Sequence, residues 1–309
     1  MTLTATILTP NIAALPVPPS LLGESPLWHP TEQCLYWCDI PARVLNRFEP
    51  VSGDHHSWTF SAEPSCCVPV LGGGLLLAMR DGLWHFEATT GERRLLAAPP
   101  YDPALQRFND GKADALGRFW IGTIDDRRQP DAVLYQWSGS GFRAMADGIT
   151  TSNGLAFGGD GRTLYWADTK AHVVYALDVD PQDGSISRRR VFQQFPLRDP
   201  AQALSAYGGR PDGAAVDAEG AYWVAMFEGQ RLLRFAPDGT LLAELPLPVR
   251  CPTMPCFGGP DLKTLFVTTA RENRPAEELA QQPLAGCVLQ MRVNTPGLPA
   301  HMARWSAKA

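Results

Sequence analysis

The sequence predicts an all-β protein, a six-bladed β-propeller of four-stranded antiparallel blades, and three observations support this prediction. Glycine and proline, 28 of each, make up about 18% of the 309 residues, whereas about 12% is usual. Aromatic residues, which strands favour, are frequent, with 9 Trp, 7 Tyr and 13 Phe. A strand-like segment also recurs with a period of about 40 to 45 residues. Many turns, strand-forming residues and this repeat together favour a propeller.

Each repeat contains an aromatic or aliphatic strand that follows a tight-turn signal. Gly159-Asp160-Gly161 and Gly259-Pro260-Asp261 are two of these turns, and most copies are followed by a second alternating strand, as at residues 173–177. The pattern therefore predicts a four-stranded antiparallel meander, and radial repetition of such sheets makes a propeller. The six copies lie at residues 34–39, 75–78, 119–122, 164–168, 222–225 and 265–268.

The repeats leave only short segments unassigned, so residues 1–309 are predicted to form a single propeller domain. The apolar segment 2–12 has no repeat of its own, and we expect it to supply the strand that closes the ring with the last blade. An insertion at residues 195–210 separates the fourth and fifth repeats. A loop of this length is typical of a lid or a binding loop.

Charge and composition exclude several classes of partner. The net charge is −5 and no basic run is present, so nucleic acid is not an expected partner. No stretch of 18 apolar residues and no signal peptide are found, which predicts no membrane segment and a cytoplasmic location. The seven cysteines include no Cys-x-x-Cys pair, which indicates reduced core thiols, although the vicinal Cys66 and Cys67 remain candidates for lining a site.

Polar residues occupy the same phase of every repeat, about 10 to 12 residues before the aromatic strand. In a propeller the inner strands all begin at one mouth of the central channel, so these side chains should face a common centre. Glu24, Asn153 and Asp212 contribute two carboxylates and an amide oxygen, the hard donors that a divalent cation prefers. The six residues are Glu24, Ser65, Asn109, Asn153, Asp212 and Thr253.

Other chemistries lack the residues they need. No histidine falls at this phase, and neither a Gly-x-Ser-x-Gly nor a His-Glu-x-x-His motif is present, so a serine triad and a His-rich zinc centre are not expected. Asn153-Gly154, Asp212-Gly213 and Asp110-Gly111 are also common turn dipeptides, which leaves a structural role as the alternative for each one alone. Their shared phase favours a functional site, in which Asp110 is expected to brace the loop.

With these residues the chain resembles the gluconolactonase and regucalcin family of sugar-lactone hydrolases. The resemblance implies a six-bladed propeller with one catalytic divalent metal held by Glu24, Asn153 and Asp212, and it implies that Arg107 and Asn109 contact sugar hydroxyls. The stretches that carry the resemblance are residues 23–28, 107–112, 117–123, 152–157, 211–213 and 256–261. The chain departs from the family at residues 125–128, Asp-Asp-Arg-Arg, where some members carry a substrate-contacting Glu.

The expected reaction is metal-dependent hydrolysis of a sugar (aldono-) lactone to the aldonic acid. A divalent cation, whether Ca, Zn, Mn, Mg or Fe(II), can polarise the carbonyl and lower the pKa of a bound water. Asp212 is expected to be both ligand and general base, because no histidine is placed for that role. The expected partner is a small-molecule sugar lactone, and the chain is expected to be a monomer or a weak homo-oligomer.

Two alternatives remain open from the residues. The same metal site could hydrolyse aryl esters or phosphotriesters, although Arg107 and Asn109 favour a polyol. A non-catalytic calcium-binding propeller, in which the metal only closes the central channel, is the other alternative. An exposed apolar patch would favour that alternative, whereas the hydrophobic residues here follow strand alternation.

Overall fold

The computed structural model describes residues 5–305, and most of this range is β-strand. Two short strands come first, β1 (Thr6–Ile7) and β2 (Ala13–Ala14). Six sheets then follow one another along the chain, each with its strands in sequential antiparallel order. The inner strand of each sheet contacts the inner strands of its two neighbours, which closes the ring and confirms the predicted six-bladed propeller.

The first three blades are four-stranded meanders, as predicted. Short turns rich in glycine and aspartate connect their strands, because these residues adopt the backbone conformations that tight turns require. Blade 1 contains β3 (Gly23–His29), β4 (Cys34–Asp39), β5 (Val44–Phe48) and β6 (His55–Thr59); blade 2 contains β7 (Pro64–Pro69), β8 (Leu75–Met79), β9 (Gly82–Phe86) and β10 (Arg93–Ala97); blade 3 contains β11 (Gln106–Ala113), β12 (Phe119–Asp125), β13 (Ala132–Trp137) and β14 (Phe142–Ile149).

The last three blades include the insertion and the two short helical segments among residues 5–305. Blade 4 contains β15 (Ser152–Phe157), β16 (Thr163–Asp168), β17 (Val173–Val179) and β18 (Ile186–Gln194); blade 5 contains β19 (Arg210–Val216), β20 (Tyr222–Phe227), β21 (Arg231–Phe235) and β22 (Leu241–Pro246); blade 6 contains β23 (Pro252–Gly258), β24 (Thr264–Thr269) and β25 (Leu289–Arg292). A 3-10 turn, Leu204–Ala206, lies in the insertion, and α1 (Ala276–Gln281) lies between β24 and β25. No helix in this range is long and apolar enough to cross a membrane.

The N-terminal segment completes blade 6, but with different residues from those expected. β2 pairs antiparallel with β25, with Ala13 opposite Gln290. The expectation that segment 2–12 supplies this strand is therefore corrected to Ala13–Ala14, and residues 2–4 lie outside the described range. The reason is that β1 pairs in parallel with β22 of blade 5, and the amide of Leu8 continues this contact by donating to Glu244 O at 2.8 Å.

The core lies between neighbouring blades. Trp120 and Trp166 are fully buried in one cluster where blades 3 and 4 meet, and the Trp166 indole Nε1 donates to Ser152 Oγ at 2.7 Å. A buried indole needs such a partner, which is why polar residues occur inside these apolar layers. The seven cysteines are free, and five of them are buried, which agrees with the prediction of reduced core thiols.

Candidate active site

Each inner strand contains one extra residue close to the mouth of the channel. In β3, Glu24 pairs with Cys38 and Leu27 pairs with Tyr36. The chain therefore advances three residues on the inner strand while it advances two on the partner strand, which is a β-bulge. The inner strands of the other five blades shift register in the same part of the strand. The six polar residues that share one phase of the sequence repeat lie at or inside these bulges. Because a bulge bends the strand and re-aims its side chains, it explains how this phase presents polar groups beside a packed core.

Four of the five predicted site residues form one chain of hydrogen bonds across three blades. Arg107 Nη1 donates to Asn109 Oδ1 at 2.7 Å, and Asn109 Nδ2 donates to Asn153 Oδ1 at 3.0 Å. Asn153 Nδ2 then donates to Asp212 Oδ1 at 2.6 Å. The structure therefore brings together residues that are up to 105 positions apart in the sequence, between Arg107 and Asp212.

Glu24, the fifth predicted residue, lies close enough to Asp212 for the two carboxylates to repel each other. Burial raises the pKa of Glu24 well above its usual value, and the charges of Asp212 and Asp110 raise it further. Burial also raises the pKa of Asp212 to about 8, against a partial opposing effect from Arg210. Only 8% of Glu24 and 5% of Asp212 are exposed. Two buried carboxylates side by side need a positive charge that the chain supplies only in part.

This donor set fits a divalent cation. The two carboxylates are close enough for their charges to interact, and Asn153 Oδ1 accepts only one hydrogen bond, from Asn109, which leaves it a second lone pair. Oxygen donors of this kind suit calcium, magnesium and manganese. No group of three His, Cys, Asp or Glu side chains arranged to hold a metal occurs among residues 5–305. A metal site here would therefore need the Asn153 amide oxygen as a ligand in addition to the two carboxylates.

Asp110 has the bracing contact that was expected of it. Its Oδ2 accepts a hydrogen bond from the Leu155 amide at 2.8 Å, which ties blade 3 to the bulge of blade 4. Its Oδ1 is buried and has no hydrogen-bond partner within the described chain. Asp110 thus adds a third carboxylate beside Glu24 and Asp212, which increases the demand for a cation.

Two further residues position the site, and sequence reasoning missed both. Thr169 Oγ1 accepts a hydrogen bond from Asn153 Nδ2 at 2.9 Å and thereby fixes the orientation of the amide. Tyr222 Oη donates to Gly154 O at 2.9 Å, and a Cβ added at Gly154, where φ is +60°, would lie 2.5 Å from that hydroxyl. The only sequence signal for Thr169 was its place directly after a repeat strand.

The other two polar residues of this phase have different surroundings. Thr253 Oγ1 donates to Gly23 O at 2.5 Å and thereby connects blade 6 to blade 1. Ser65 is fully buried, and its Oγ has no partner among the residues the structure describes. Neither side chain takes part in the hydrogen-bond chain from Arg107 to Asp212.

The insertion lies at the mouth, because it connects the outer strand of blade 4 to the inner strand of blade 5. Tyr207 Oη lies 3.1 Å from His172 Nε2, and His172 Nδ1 lies 2.9 Å from Pro196 O. Arg210, at the end of the insertion, pairs with Glu228 at 3.2 Å. Specific contacts thus hold this loop beside Asp212.

Solved structures define the class of protein first. A calcium-binding protein, regucalcin, from Agrobacterium tumefaciens superposes with a TM-score of 0.90 at 27% identity, covering 98% of this chain and 100% of that one. A gluconolactonase from Xanthomonas campestris superposes with a TM-score of 0.73 at 22% identity, covering 94% of this chain and 92% of that one, and this likeness supports the fold alone. The chain is a six-bladed propeller of the regucalcin type.

Sequence comparison defines the family. The model described as SMP-30/Gluconolactonase/LRE-like region matches residues 22–271. A 6-deoxy-6-sulfogluconolactonase from Pseudomonas putida is 44% identical over 283 residues, which cover 90% of this chain and 94% of that protein. Regucalcin from Danio rerio is 35% identical over 286 residues, which cover 90% of this chain and 93% of that protein. The chain belongs to the SMP-30/gluconolactonase/LRE-like family.

Proposed function

We propose that the chain is a sugar lactonase that opens a lactone to the aldonic acid with one divalent cation held by Glu24, Asn153 and Asp212. The observation that carries the proposal is the buried pair of carboxylates: burial raises the pKa of both, and the charge of Asp212 raises that of Glu24 further. The name of the Pseudomonas putida relative supports the reaction, and the name of the Agrobacterium tumefaciens structure supports a bound cation.

When bound, a cation at these oxygens supplies Lewis-acid polarisation of the lactone carbonyl and keeps both carboxylates ionised. Asn109 and Arg107 orient the sugar, because the amide can donate and accept at adjacent hydroxyls and the planar guanidinium can donate to two oxygens at once. Asn109 also keeps Asn153 in place through its 3.0 Å hydrogen bond. Arg107 and Asn109 thus bind and align the lactone ring before its ester bond is cleaved.

Asp212 moves the proton. Its carboxylate accepts a proton from the attacking water while the water oxygen bonds to the carbonyl carbon. The bond between that carbon and the ring oxygen then breaks, and the same proton passes to the ring oxygen, which becomes a hydroxyl group. One water is consumed, and the product is the hydroxy acid. The hydrogen bond from Asn153 Nδ2 to Asp212 Oδ1, at 2.6 Å, orients the Asp212 carboxylate for this transfer.

Positive charge on one side of the mouth favours a lactone that carries an anionic substituent far from its carbonyl. Within residues 5–305, Arg107 forms hydrogen bonds only through Nη1, and the Arg128 side chain forms no hydrogen bond or ion pair. Arg128 follows the turn after β12, in which Ile124 lies opposite Arg107. The Pseudomonas putida relative is named for a sugar lactone with a sulfo group at carbon 6, an anion of this kind.

A matched pair of variants tests this preference. Arg127 Nη2 pairs with Asp125 at 2.6 Å, so its charge is already balanced. Arg128→Gln should raise KM for 6-deoxy-6-sulfogluconolactone about tenfold, roughly 1.4 kcal/mol, and leave KM for gluconolactone unchanged. Arg127→Gln should change neither value. Equal effects on both substrates would contradict the charge preference.

The two alternative functions predict different substrates and different metal dependence. An esterase or phosphotriesterase on the same site would turn over aryl esters or paraoxon at least as fast as aldonolactones. A calcium-binding propeller without catalysis would bind the cation and release no acid from any lactone.

The deciding experiment is a pH-indicator assay of aldonolactone opening by chelator-treated protein. We expect acid release to return on addition of Ca²⁺, Mn²⁺, Mg²⁺, Zn²⁺ or Fe²⁺, and paraoxon to be a poor substrate. Glu24→Gln should bind the cation more weakly while remaining folded. The proposal fails if full lactonase activity persists in chelator-treated Asp212→Ala.

A further inference from the structure

The central channel contains a cavity of about 460 Å³ beyond the candidate site. The site residues lie where the inner strands begin, whereas this cavity is lined by later residues of all six inner strands. The C-terminal segment 298–301 also lines it. That segment is held at both ends, because Leu298 N donates to Val216 O at 3.4 Å and Ala303 N donates to Pro69 O at 2.7 Å. The tail thus crosses the channel from blade 5 to blade 2.

The cavity has the composition of a small-molecule site. Most of its wall is apolar, and none of the three carboxylate residues at the mouth, Glu24, Asp110 and Asp212, lines it. Small-molecule sites in proteins usually have volumes of 300 to 1,000 Å³ and mostly apolar walls with a few placed polar groups. The apolar side chains include Leu27, Val68, Ala156, Phe157, Val216, Phe257 and Leu298.

Lys112 supplies the one permanent positive charge in this wall. Its side chain is half-buried and forms no hydrogen bond or ion pair within residues 5–305. Asp160, the wall's carboxylate, is exposed, and its Oδ1 accepts hydrogen bonds from the Arg162 and Thr163 amides. This ammonium group lies among apolar side chains and is incompletely hydrated, and no carboxylate within residues 5–305 forms a direct ion pair with it, so an anion in the cavity would stabilise it.

One buried carboxylate, Asp110, interacts with this charge, because burial raises the pKa of Asp110 and the charge of Lys112 opposes that rise. The thiols and the imidazole around the cavity add no charge of their own. Burial raises the pKa of the Cys67 thiol to about 12 and raises that of Cys256, so neither thiol is ionised at neutral pH. Burial lowers the pKa of His301, which keeps its imidazole neutral there. Asp110 lies nearby on the same strand, and its carboxylate braces the Leu155 amide at the site.

We propose that this cavity binds an amphipathic anion, a medium-chain carboxylate whose head group pairs with Lys112 and whose hydrocarbon chain lies along the apolar wall. Charge complementarity selects the anion over a neutral apolar molecule, because an ion pair in a partly desolvated cavity is stronger than one in water. The proposal is independent of lactone hydrolysis, since none of the residues proposed to hold the cation or the sugar lines this cavity.

Isothermal titration of the calcium-loaded protein with decanoate tests the proposal. We expect micromolar binding, a loss of at least tenfold in Lys112→Met, and at least tenfold weaker binding of 1-decanol. Lys263→Met is the matched control, because Lys263 lies outside the cavity wall and its loss should change affinity less than twofold. Equal affinity for decanoate in wild type and Lys112→Met, or equal affinity for decanol, overturns the proposal, as does the absence of binding up to 1 mM.

A second variant keeps the proposal testable if Lys112→Met does not fold. Leu298 is exposed at the rim of the cavity, so Leu298→Glu should fold normally and should weaken decanoate at least fivefold by placing a like charge there. Unchanged affinity in that variant would count against the site. Saturating gluconate should not compete with decanoate, and competition would place the anion at the mouth and overturn the assignment to the cavity.

Discussion

Buried carboxylates occur in two regions of the propeller, and their surroundings differ. At the mouth, Glu24 accepts one hydrogen bond, from the Ser25 amide, and Asp212 accepts one from Asn153. Where blade 5 turns from β19 to β20, away from the mouth, Asp217 is fully buried yet accepts bonds from two backbone amides, from Trp223 Nε1 and from Arg234 Nε, the last two at 2.8 Å. Both regions bury carboxylates, but only the turn of blade 5 supplies enough hydrogen-bond donors to stabilise the buried charge.

The turn of blade 3 repeats the compensated arrangement. Asp114 accepts bonds from the Leu116 and Arg118 amides, from the Arg118 side chain and from Trp120 Nε1. At these turns the chain supplies every partner itself, so the aspartate contributes to the fold. At the mouth Glu24 and Asp212 each accept a single hydrogen bond, which leaves a demand for a cation. The comparison separates carboxylates that stabilise the protein from carboxylates held for function.

Removing the charge at the mouth should give the largest effect. Asp212→Asn should lower kcat for lactone opening about a thousandfold, since it removes the general base and a cation ligand together. The variant should unfold at no lower urea concentration than the cation-free wild type, because the mutation relieves repulsion with Glu24. Lactonase assays and urea titrations measure the two outcomes. A variant that is inactive and also strongly destabilised would place Asp212 among the structural aspartates.

Removing the charge at the turn should have the opposite result. Asp217→Ala should lower the free energy of unfolding by about 3 to 5 kcal/mol, because it leaves the buried Trp223 indole without an acceptor and leaves the Arg234 guanidinium with only the exposed Glu219 as a partner. The kcat of the folded fraction should be unchanged. Glu219→Ala is the control, since Glu219 pairs with the same Arg234 but its side chain is 65% exposed. That control should cost less than about 1 kcal/mol.

The mouth should also make cation-free stability depend on pH. Burial raises the pKa of Asp212 to about 8, so the folded state binds more protons than the unfolded state, in which aspartate titrates near 3.9. Stability is then fully present below about pH 4 and is lost as pH rises through 8, a loss of roughly 2 kcal/mol between pH 6 and 8.5. Urea titrations in EDTA measure it. Saturating Ca²⁺ should flatten the profile, and Asp212→Asn should reduce its slope without removing it, because burial also raises the pKa of Glu24. A flat profile of the wild type in EDTA would refute the coupling.

The smallest effect should come from the positioning residue Thr169. Thr169→Val removes the acceptor of the 2.9 Å hydrogen bond from Asn153 and preserves side-chain shape. We expect calcium affinity to fall about five- to tenfold, roughly 1 kcal/mol, with kcat at saturating calcium nearly unchanged. Thr169→Ser should restore the affinity. A loss of kcat that calcium cannot rescue would give Thr169 a different role.

Much of this arrangement could be predicted from the sequence, because the repeat is local. Turn dipeptides, alternating strands and an aromatic core strand define each blade, and residues at one phase of a repeat must occupy equivalent positions. That logic selected Glu24, Asn153 and Asp212, and also Ser65 and Thr253, which take no part in the hydrogen-bond chain from Arg107 to Asp212. The shared phase could not distinguish the site residues from Ser65 and Thr253. It specifies how far along the channel axis a side chain lies, and it does not specify which groups that side chain contacts.

The sequence alone determined the number of blades, the strand order within each blade and the polar phase, because these depend on contacts between near neighbours in the chain. Only the tertiary structure decided the closing strand, Ala13–Ala14, the bulge in every inner strand and the contact of Asn153 with Thr169 and Asp212. These features join distant segments. Their geometry follows from how the ring closes, which no local pattern encodes.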